Sequence, residues 1–264
     1  MNKTIVALAA TWLAAAPLHA QEAAPTDTGA ATGPSAGTIA WNAALVSDYR
    51  YRGISQTRLR PALQGGADYT DAAGGLYAGT WLSTIRWSKD AGGGGDVEWD
   101  LYAGKRGALG ANATYDVGVL GYVYPGNGLK DVPGFADANT LELYAQVGAG
   151  PATVKYSVAT TNLFGLRDSR YSGYLDLGAN PDLGNGWTLN LHAGRQQVRH
   201  SANASYTDWK VGVAHAFDGA DVLHGVTVSL ALVGTNADRA AYASPANGKF
   251  TGRSALVAGI AKVF

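Results

Sequence analysis

The sequence predicts an all-β protein, a transmembrane antiparallel up-and-down β-barrel of twelve strands. Three observations predict it: apolar residues alternate with polar or very small ones from about residue 38 onward, a segment typical of an export signal precedes this region, and the chain ends on Phe264. Because successive side chains of a strand point to opposite faces, each block has one apolar and one polar face. In a barrel that spans a membrane, the apolar face contacts lipid.

The clearest alternation lies at residues 96–106. Apolar Val97, Trp99, Leu101 and Ala103 alternate there with Asp96, Glu98, Asp100, Tyr102 and Arg106. The alternative is a soluble sandwich or lipocalin-like barrel, whose strands average about 5 to 6 residues. A strand that crosses a membrane needs about 9 to 11 residues. The length of the blocks therefore favours the membrane barrel.

Period-two alternation predicts the twelve strands. They lie at residues 38–49, 61–70, 76–87, 96–106, 112–124, 138–149, 152–161, 170–180, 186–197, 205–217, 224–235 and 252–264. The predicted outward face carries aromatic residues near the strand ends, as membrane interfaces favour. Members of this aromatic set are Trp41, Tyr49, Tyr69, Tyr77, Trp87, Trp99, Tyr115, Tyr171, Trp187, Trp209, Phe217 and Phe264.

The regions before the strands divide into two parts. Residues 1–20 carry Lys3 and then an apolar run, which is typical of a signal peptide, with cleavage expected after Ala20. Residues 21–37 are rich in Ala, Gly, Thr and Pro, which predicts a flexible periplasmic leader. Residues 38–264 then form one domain, the outer-membrane β-barrel.

The connections between predicted strands predict an orientation. Those after even-numbered strands are mostly short, and those after odd-numbered strands are mostly long. Bacterial barrels have short periplasmic turns and long extracellular loops. We therefore expect a location in the bacterial outer membrane with both termini in the periplasm.

Composition narrows the function classes. The chain has no Cys, which excludes disulfides and thiolate chemistry, and its 20 basic residues balance its 20 acidic ones, which argues against a nucleic-acid partner. No metal-ligand spacing, phosphate loop or Ser, His and acid constellation stands out. We expect no enzyme activity, no catalytic residue, no cofactor and no metal.

Three segments carry a family resemblance. Residues 46–69 read VSDYRYRGISQTRLRPALQGGADY, residues 75–84 read GLYAGTWLST, and residues 96–107 read DVEWDLYAGKRG. In this order they resemble the TorF-like family of porins, over roughly residues 45–125. The resemblance implies an outer-membrane location and a channel, and it implies no substrate.

Charged residues with inward parity are the candidates for a pore lining. They are Arg86, Glu98, Asp100, Asp116, Glu142, Lys155, Asp176 and Lys210. Side chains fill barrels of about 8 strands, whereas barrels of about 16 to 18 strands leave an aqueous channel. A barrel of twelve strands lies between these sizes, so we expect a narrow lumen. Several inward glycines, such as Gly104, Gly118 and Gly194, favour a gap in its middle.

Two functions stay open. The first is a porin for passive diffusion of small hydrophilic solutes or ions through this charged lumen. The second is a closed structural or adhesive barrel that acts through its extracellular loops, with the same charges paired across the lumen as braces. The expected partners are outer-membrane lipid, lipopolysaccharide and small polar solutes or ions, and the oligomeric state stays open.

The first outer loop holds four arginines: Arg50, Arg52, Arg58 and Arg60. Arginine suits phosphate and carboxylate groups because it donates two parallel hydrogen bonds. The loop would then draw anionic solutes to the mouth of the barrel. The alternative is contact with lipopolysaccharide or a solvated loop.

Overall fold

Twelve strands form a closed antiparallel barrel in the computed structural model, which describes residues 37–217 and 222–264. The prediction of an all-β barrel of twelve strands is confirmed. The signal peptide and residues 21–36 of the leader lie outside the described residues. Within the described part of the chain, no helix is both long and apolar enough to cross a membrane.

The described residues form fifteen β segments and one short α-helix. They are β1 (Thr38–Val46), β2 (Arg50–Tyr51), β3 (Ile54–Ser55), β4 (Ala62–Thr70), β5 (Leu76–Thr84), α1 (Trp87–Asp90), β6 (Val97–Leu109), β7 (Ala113–Val123), β8 (Thr140–Ala149), β9 (Ala152–Ala159), β10 (Gly173–Ala179), β11 (Asp182–Gly184), β12 (Trp187–Gln197), β13 (Tyr206–Phe217), β14 (Val226–Thr235) and β15 (Ala255–Val263). Two 3₁₀ turns lie at Leu129–Asp131 and Ala202–Ala204.

The barrel closes because its first and last strands pair. β1 pairs antiparallel with both β4 and β15, and each remaining wall strand pairs with its chain neighbours. β2 and β3 pair only with each other, and β11 is a short addition beside β12. The connections sort by length, so the barrel has a long-loop end and a short-turn end.

The two faces of the wall differ as the alternation predicts. Large apolar side chains such as Ile39, Leu63 and Leu256 project outward and are 61%, 64% and 63% exposed. Inward side chains such as Glu98, Tyr122 and Glu142 are each 2% exposed. The apolar face is therefore the outside of the barrel, and the polar face lines its lumen.

Three aromatic residues assigned to the outer face lie elsewhere. β1 ends at Val46 and β5 at Thr84, each three residues before the predicted end, so Tyr49 turns inward and Trp87 enters α1. Tyr77 also faces the lumen, where its hydroxyl contacts Asp116. The outward assignment failed at Tyr49 and Trp87 because both residues follow the end of a strand. It failed at Tyr77 because this residue lies on the inward face of β5.

The inward glycines do not leave an open gap. Gly104 lies opposite Tyr77, Gly118 opposite Tyr144, and Gly79 opposite Tyr102, and each ring covers its glycine. A Cβ on Gly118 would lie 2.6 Å from the Tyr144 Cζ and 2.6 Å from the Ala103 carbonyl oxygen. The expectation of a gap was wrong at these positions, because a neighbouring tyrosine lies flat against the wall above the glycine.

We expect Gly118→Ala to lower the free energy of unfolding by about 1 to 3 kcal/mol, because the added methyl group overpacks the site. Urea unfolding of the refolded barrel in lipid vesicles measures this change. Gly121→Ala on the same strand is the matched control, since a Cβ there meets its nearest atoms at 3.8 Å. Equal losses in both variants would contradict the packing argument.

Candidate functional site in the barrel lumen

Residues 47–61, which we call the inner hairpin, connect β1 to β4 by folding into the lumen. Residues 48–55 are all buried, and β2 and β3 form the arms. Arg52 and Gly53 form the two-residue turn between them, with φ values of 46° and 78°. Two positive φ values are typical of the tight hairpin turn in which glycine is favoured. This turn places Arg52 at the tip.

Asp48 holds the base of the inner hairpin. Its carboxylate accepts hydrogen bonds from Arg50 Nε at 2.6 Å, Ser55 Oγ at 2.5 Å and Thr57 Oγ1 at 3.1 Å. Arg50 also donates to the carbonyl oxygens of Gly53, Thr251 and Arg253. A buried carboxylate is stable when such donors surround it. The three donors to Asp48 therefore fold residues 48–57 back on themselves.

Arg52 carries the hairpin across the lumen to the opposite wall. Its guanidinium donates to Glu142 Oε2 on β8 and to Gln196 Oε1 on β12, both at 2.7 Å. It also lies over the Tyr174 ring, 4.2 Å from the centroid. Both members of the ion pair are buried, with side chains 6% and 3% exposed. Arg52 and its partners close the long-loop half of the lumen.

Glu98 and Asp100 form an acidic patch beside the hairpin. Glu98 accepts hydrogen bonds from the Tyr49 hydroxyl at 2.5 Å and the Tyr124 hydroxyl at 2.9 Å. Burial, and then the Glu98 charge, raise the pKa of both Tyr49 and Tyr124 well above the usual range, so both phenols remain donors. Asp100 is fully buried, and neither of its carboxylate oxygens has a hydrogen-bond partner within the described residues.

A second group of charges lies on β10, β12 and β13. His192 contacts Asp176 through Nδ1 at 3.0 Å and Asp208 through Nε2 at 2.8 Å. The Tyr174 hydroxyl donates to the same Asp208. Lys210 lies opposite His192 in the register of β12 and β13. The wall here alternates acidic and basic groups, so its charges largely compensate one another.

The short-turn half of the lumen is more open. The Tyr77 hydroxyl donates to Asp116 at 2.6 Å and meets the Tyr144 hydroxyl. Lys155 lies over the Tyr144 ring at 4.0 Å. Asp116, Lys155 and Asp176 are only partly buried. Water therefore reaches these groups, in contrast to the closed half beside Arg52.

Seven of the eight pore-lining candidates face the lumen. Glu98, Asp100 and Glu142 lie in the closed half, and the others lie on β7, β9, β10 and β13, namely Asp116, Lys155, Asp176 and Lys210. Arg86 does not face the lumen: it is exposed and immediately precedes α1. The prediction that Arg86 faces the lumen was wrong because β5 ends at Thr84, two residues earlier.

The four arginines of the first loop have different environments. Arg50 is fully buried and Arg52 is 6% exposed, so neither belongs to a solvated loop. Arg58 forms an ion pair with Asp90 of α1. Arg60 is exposed. Two of the four arginines therefore hold the inner hairpin, and the two others lie nearer the long-loop end.

Sequence reasoning missed several partners that complete the network, among them Asp48, Gln196 and His192. Gln196 and His192 share the inward parity of β12, but parity does not give the strand register that brings β12 close to the hairpin tip. The SDY and RGIS motifs marked the region of Asp48. They did not show that the loop folds inward.

These observations define the class: a closed, porin-like β-barrel whose lumen is blocked across one half by its own first loop. A family model matches residues 30–264 under the description "Bacterial protein of unknown function (Gcw_chp)". The match covers most of the chain, and the chain belongs to this family. No curated protein matches it. The narrower resemblance to TorF-like porins stays a prediction.

Several solved structures are similar to this chain at very low sequence identity. A structure described as "KdgM porin" has a TM-score of 0.52 at 7% identity, over 86% of this chain and 98% of that one. A second, "KdgM porin in complex with disordered oligogalacturonate", gives the same values. LpxR from Salmonella typhimurium has a TM-score of 0.41 at 12% identity, over 85% of this chain and 99% of that one. The KdgM likeness supports the barrel fold alone.

We expect Arg52→Met to lower the free energy of unfolding by about 3 to 5 kcal/mol, because it leaves the Glu142 carboxylate buried without its cation. Urea unfolding in lipid vesicles measures the loss. Adding Glu142→Gln should recover part of it, since the buried charge is then removed. Arg60→Met, at an exposed site, should change stability by less than about 0.5 kcal/mol. Failure of the double variant to recover stability would contradict a role for the ion pair.

Proposed function

We propose that this chain is an outer-membrane porin of small conductance, through which small hydrophilic solutes or ions diffuse when the inner hairpin moves. The twelve-stranded wall, its apolar outer face and its charged lumen support a membrane channel. The resemblance to TorF-like porins and the fold shared with KdgM agree with this proposal. The proposal assigns the chain no catalysis, cofactor or metal.

The inner hairpin is the observation that carries the proposal. The side chains that fill the long-loop half of the lumen include Tyr51, Arg52 and Ile54, which belong to a loop and not to the wall. Side-chain bonds and packing hold the hairpin in the lumen, and β2 and β3 pair only with each other, so the hairpin can leave the lumen without opening the strand ladder of the wall. The half-exposed charges of the other half then face a continuous aqueous path.

The rival function is a closed structural or adhesive barrel that acts through its outer loops. Bonds from the hairpin to the rest of the barrel favour it, namely the buried ion pair of Arg52 with Glu142 at 2.7 Å and the hydrogen bonds of Arg50 to the carbonyls of Thr251 and Arg253. Removing one partner of a buried pair is strongly unfavourable. A hairpin held this firmly would stay in the lumen, and no solute would pass.

The proposed orientation has the long-loop end outside the cell and both termini in the periplasm, as short periplasmic turns are usual in such barrels. Exposed apolar side chains such as Ile39 and Leu63 would contact lipid. Exposed Arg60 lies at the long-loop end, where it would meet lipopolysaccharide.

A disulfide across the lumen tests the channel, because the chain has no cysteine of its own. A Cβ on Gly53 would lie 2.5 Å from Thr235 Cγ2, so a Gly53→Cys/Thr235→Cys variant places its two thiols next to each other. Any side chain on Gly53 strains this positive-φ turn and crowds Asp208 Cβ, at 2.7 Å, so a Gly53→Ser/Thr235→Ser variant, which has the same strain and no thiol, is the matched control. In planar bilayers we expect small conductance steps from the wild type and the reduced variant. Oxidation should abolish the steps because the hairpin is then locked.

The wild type under the same oxidant is a second control. Equal current through the oxidised and reduced variants would refute gating by the hairpin. A folded wild type and a folded reduced variant that both pass no current would refute the porin and favour the closed barrel. Heat-modifiable migration in gels confirms folding of each protein.

Single cysteines test the orientation in intact cells. Ala246→Cys lies on the long-loop end and Leu183→Cys on the short-turn end, and both sites are exposed. We expect a membrane-impermeant maleimide to label the first variant, and the second only after the outer membrane is permeabilised. Labelling in the reverse order would contradict the proposed orientation.

A further inference from the structure

A cavity of about 230 Å³ lies at the long-loop end, above the tip of the inner hairpin. Its wall comes from the hairpin, α1, the ends of β12 and β13, and the loops that follow β7, β9 and β14. Mouths of β-barrels are frequent sites of ligand binding. A solute that approaches from this end meets the cavity before it meets Arg52.

Aromatic rings form two opposing parts of this wall. Trp87 packs edge to face with Tyr124, with ring centroids 5.0 Å apart, and Phe164 lies next to Tyr124 at 6.5 Å. On the other part, Tyr206 and Tyr242 pack edge to face at 5.1 Å. Edge-to-face contact fixes ring orientation. The cavity therefore has a preformed aromatic lining, completed by the aliphatic side chains of Ile54, Leu163 and Leu166.

Most polar groups of the lining are already bonded within the protein. The Tyr242 hydroxyl donates to the Ala204 carbonyl, the Thr251 hydroxyl to the Tyr242 carbonyl, and the Tyr124 hydroxyl to Glu98. Gln196 uses its carbonyl oxygen for Arg52 and its amide for the Gly173 carbonyl. A ligand with many hydroxyl groups would lose its bonds to water without replacement.

The charges of the lining are also paired. Arg58 forms an ion pair with Asp90, and the Ser244 hydroxyl donates to the same carboxylate at 2.9 Å. A charged ligand would have to compete with this pair. The lining therefore favours an uncharged molecule with a flat apolar face.

The volume of this partly open cavity suits one small ring. A dry apolar cavity of about 150 Å³ accommodates one benzene ring. A cavity of about 230 Å³ has room for such a ring with one or two small substituents. We propose that it binds an uncharged molecule with a single aromatic ring. Such binding does not depend on whether the barrel conducts.

The test uses p-cresol, which is neutral at pH 7, as a probe of the full mature chain refolded in detergent. Isothermal titration, with the heat of detergent alone subtracted, should show saturable binding of about one molecule. Cyclohexanol, a ring without a π face, should bind at least about 10-fold more weakly, and D-glucose should give no saturable heat. Saturable binding of glucose without binding of p-cresol would overturn the proposed ligand class.

Two neighbouring alanines give matched variants. Both are exposed, but Ala241 lines the rim of the cavity and Ala240 does not. Ala241→Trp should fill the space and weaken p-cresol binding by at least about 10-fold, while Ala240→Trp leaves it unchanged. Equal binding by both variants and the wild type would overturn the proposal, because the heat would then come from the micelle or the outer face.

A second variant covers the case in which Ala241→Trp does not fold. Phe164→Leu removes a ring of the lining and keeps an apolar side chain there. We expect a loss of p-cresol affinity of about 5-fold or more, since stacking on that ring is lost. Unchanged affinity in a folded Phe164→Leu barrel would overturn the aromatic site.

Discussion

The buried carboxylate of Asp48 is the interaction on which the interior of this barrel depends. It lies two residues past the end of β1 and collects donors from Arg50, Ser55 and Thr57, so the chain turns into the lumen instead of continuing outward. Water cannot replace these donors in a buried site. The position of Arg52, and thus the block across the lumen, follows from how Asp48 is satisfied.

The wall was predictable from the sequence and the interior was not. Alternation gave the number of strands and most of their bounds, because period two is a local property of a strand that faces lipid on one side. The failures at Tyr49, Arg86 and Trp87 share a cause: the alternation continues for a few residues past Val46 and Thr84, where the backbone already leaves the ladder. Local pattern does not mark that departure.

Some features of the candidate site follow from the local sequence pattern, and others depend on contacts between residues far apart in the chain. Inward parity identified Glu142 and Asp176 as lumen residues, which the structure agrees with. Parity did not give the pairing of Glu142 with Arg52, which is 90 residues away. Nor did it show that tyrosines cover the inward glycines, since Gly118 and Tyr144 meet only through the register of β7 and β8. Such contacts depend on strand register and loop path.

The bonds of Arg50 couple the inner hairpin to the seam of the barrel. Its guanidinium donates to carbonyls of Thr251 and Arg253, which are 201 and 203 residues away and lie just before β15. β15 is also the strand that closes the ring against β1. Closing contacts between the two ends of a chain form late, because they carry the largest loop entropy. During assembly the two bonds from Arg50 to this seam should therefore form only when the last strand arrives, so the inner hairpin gains its last attachment as the ring closes.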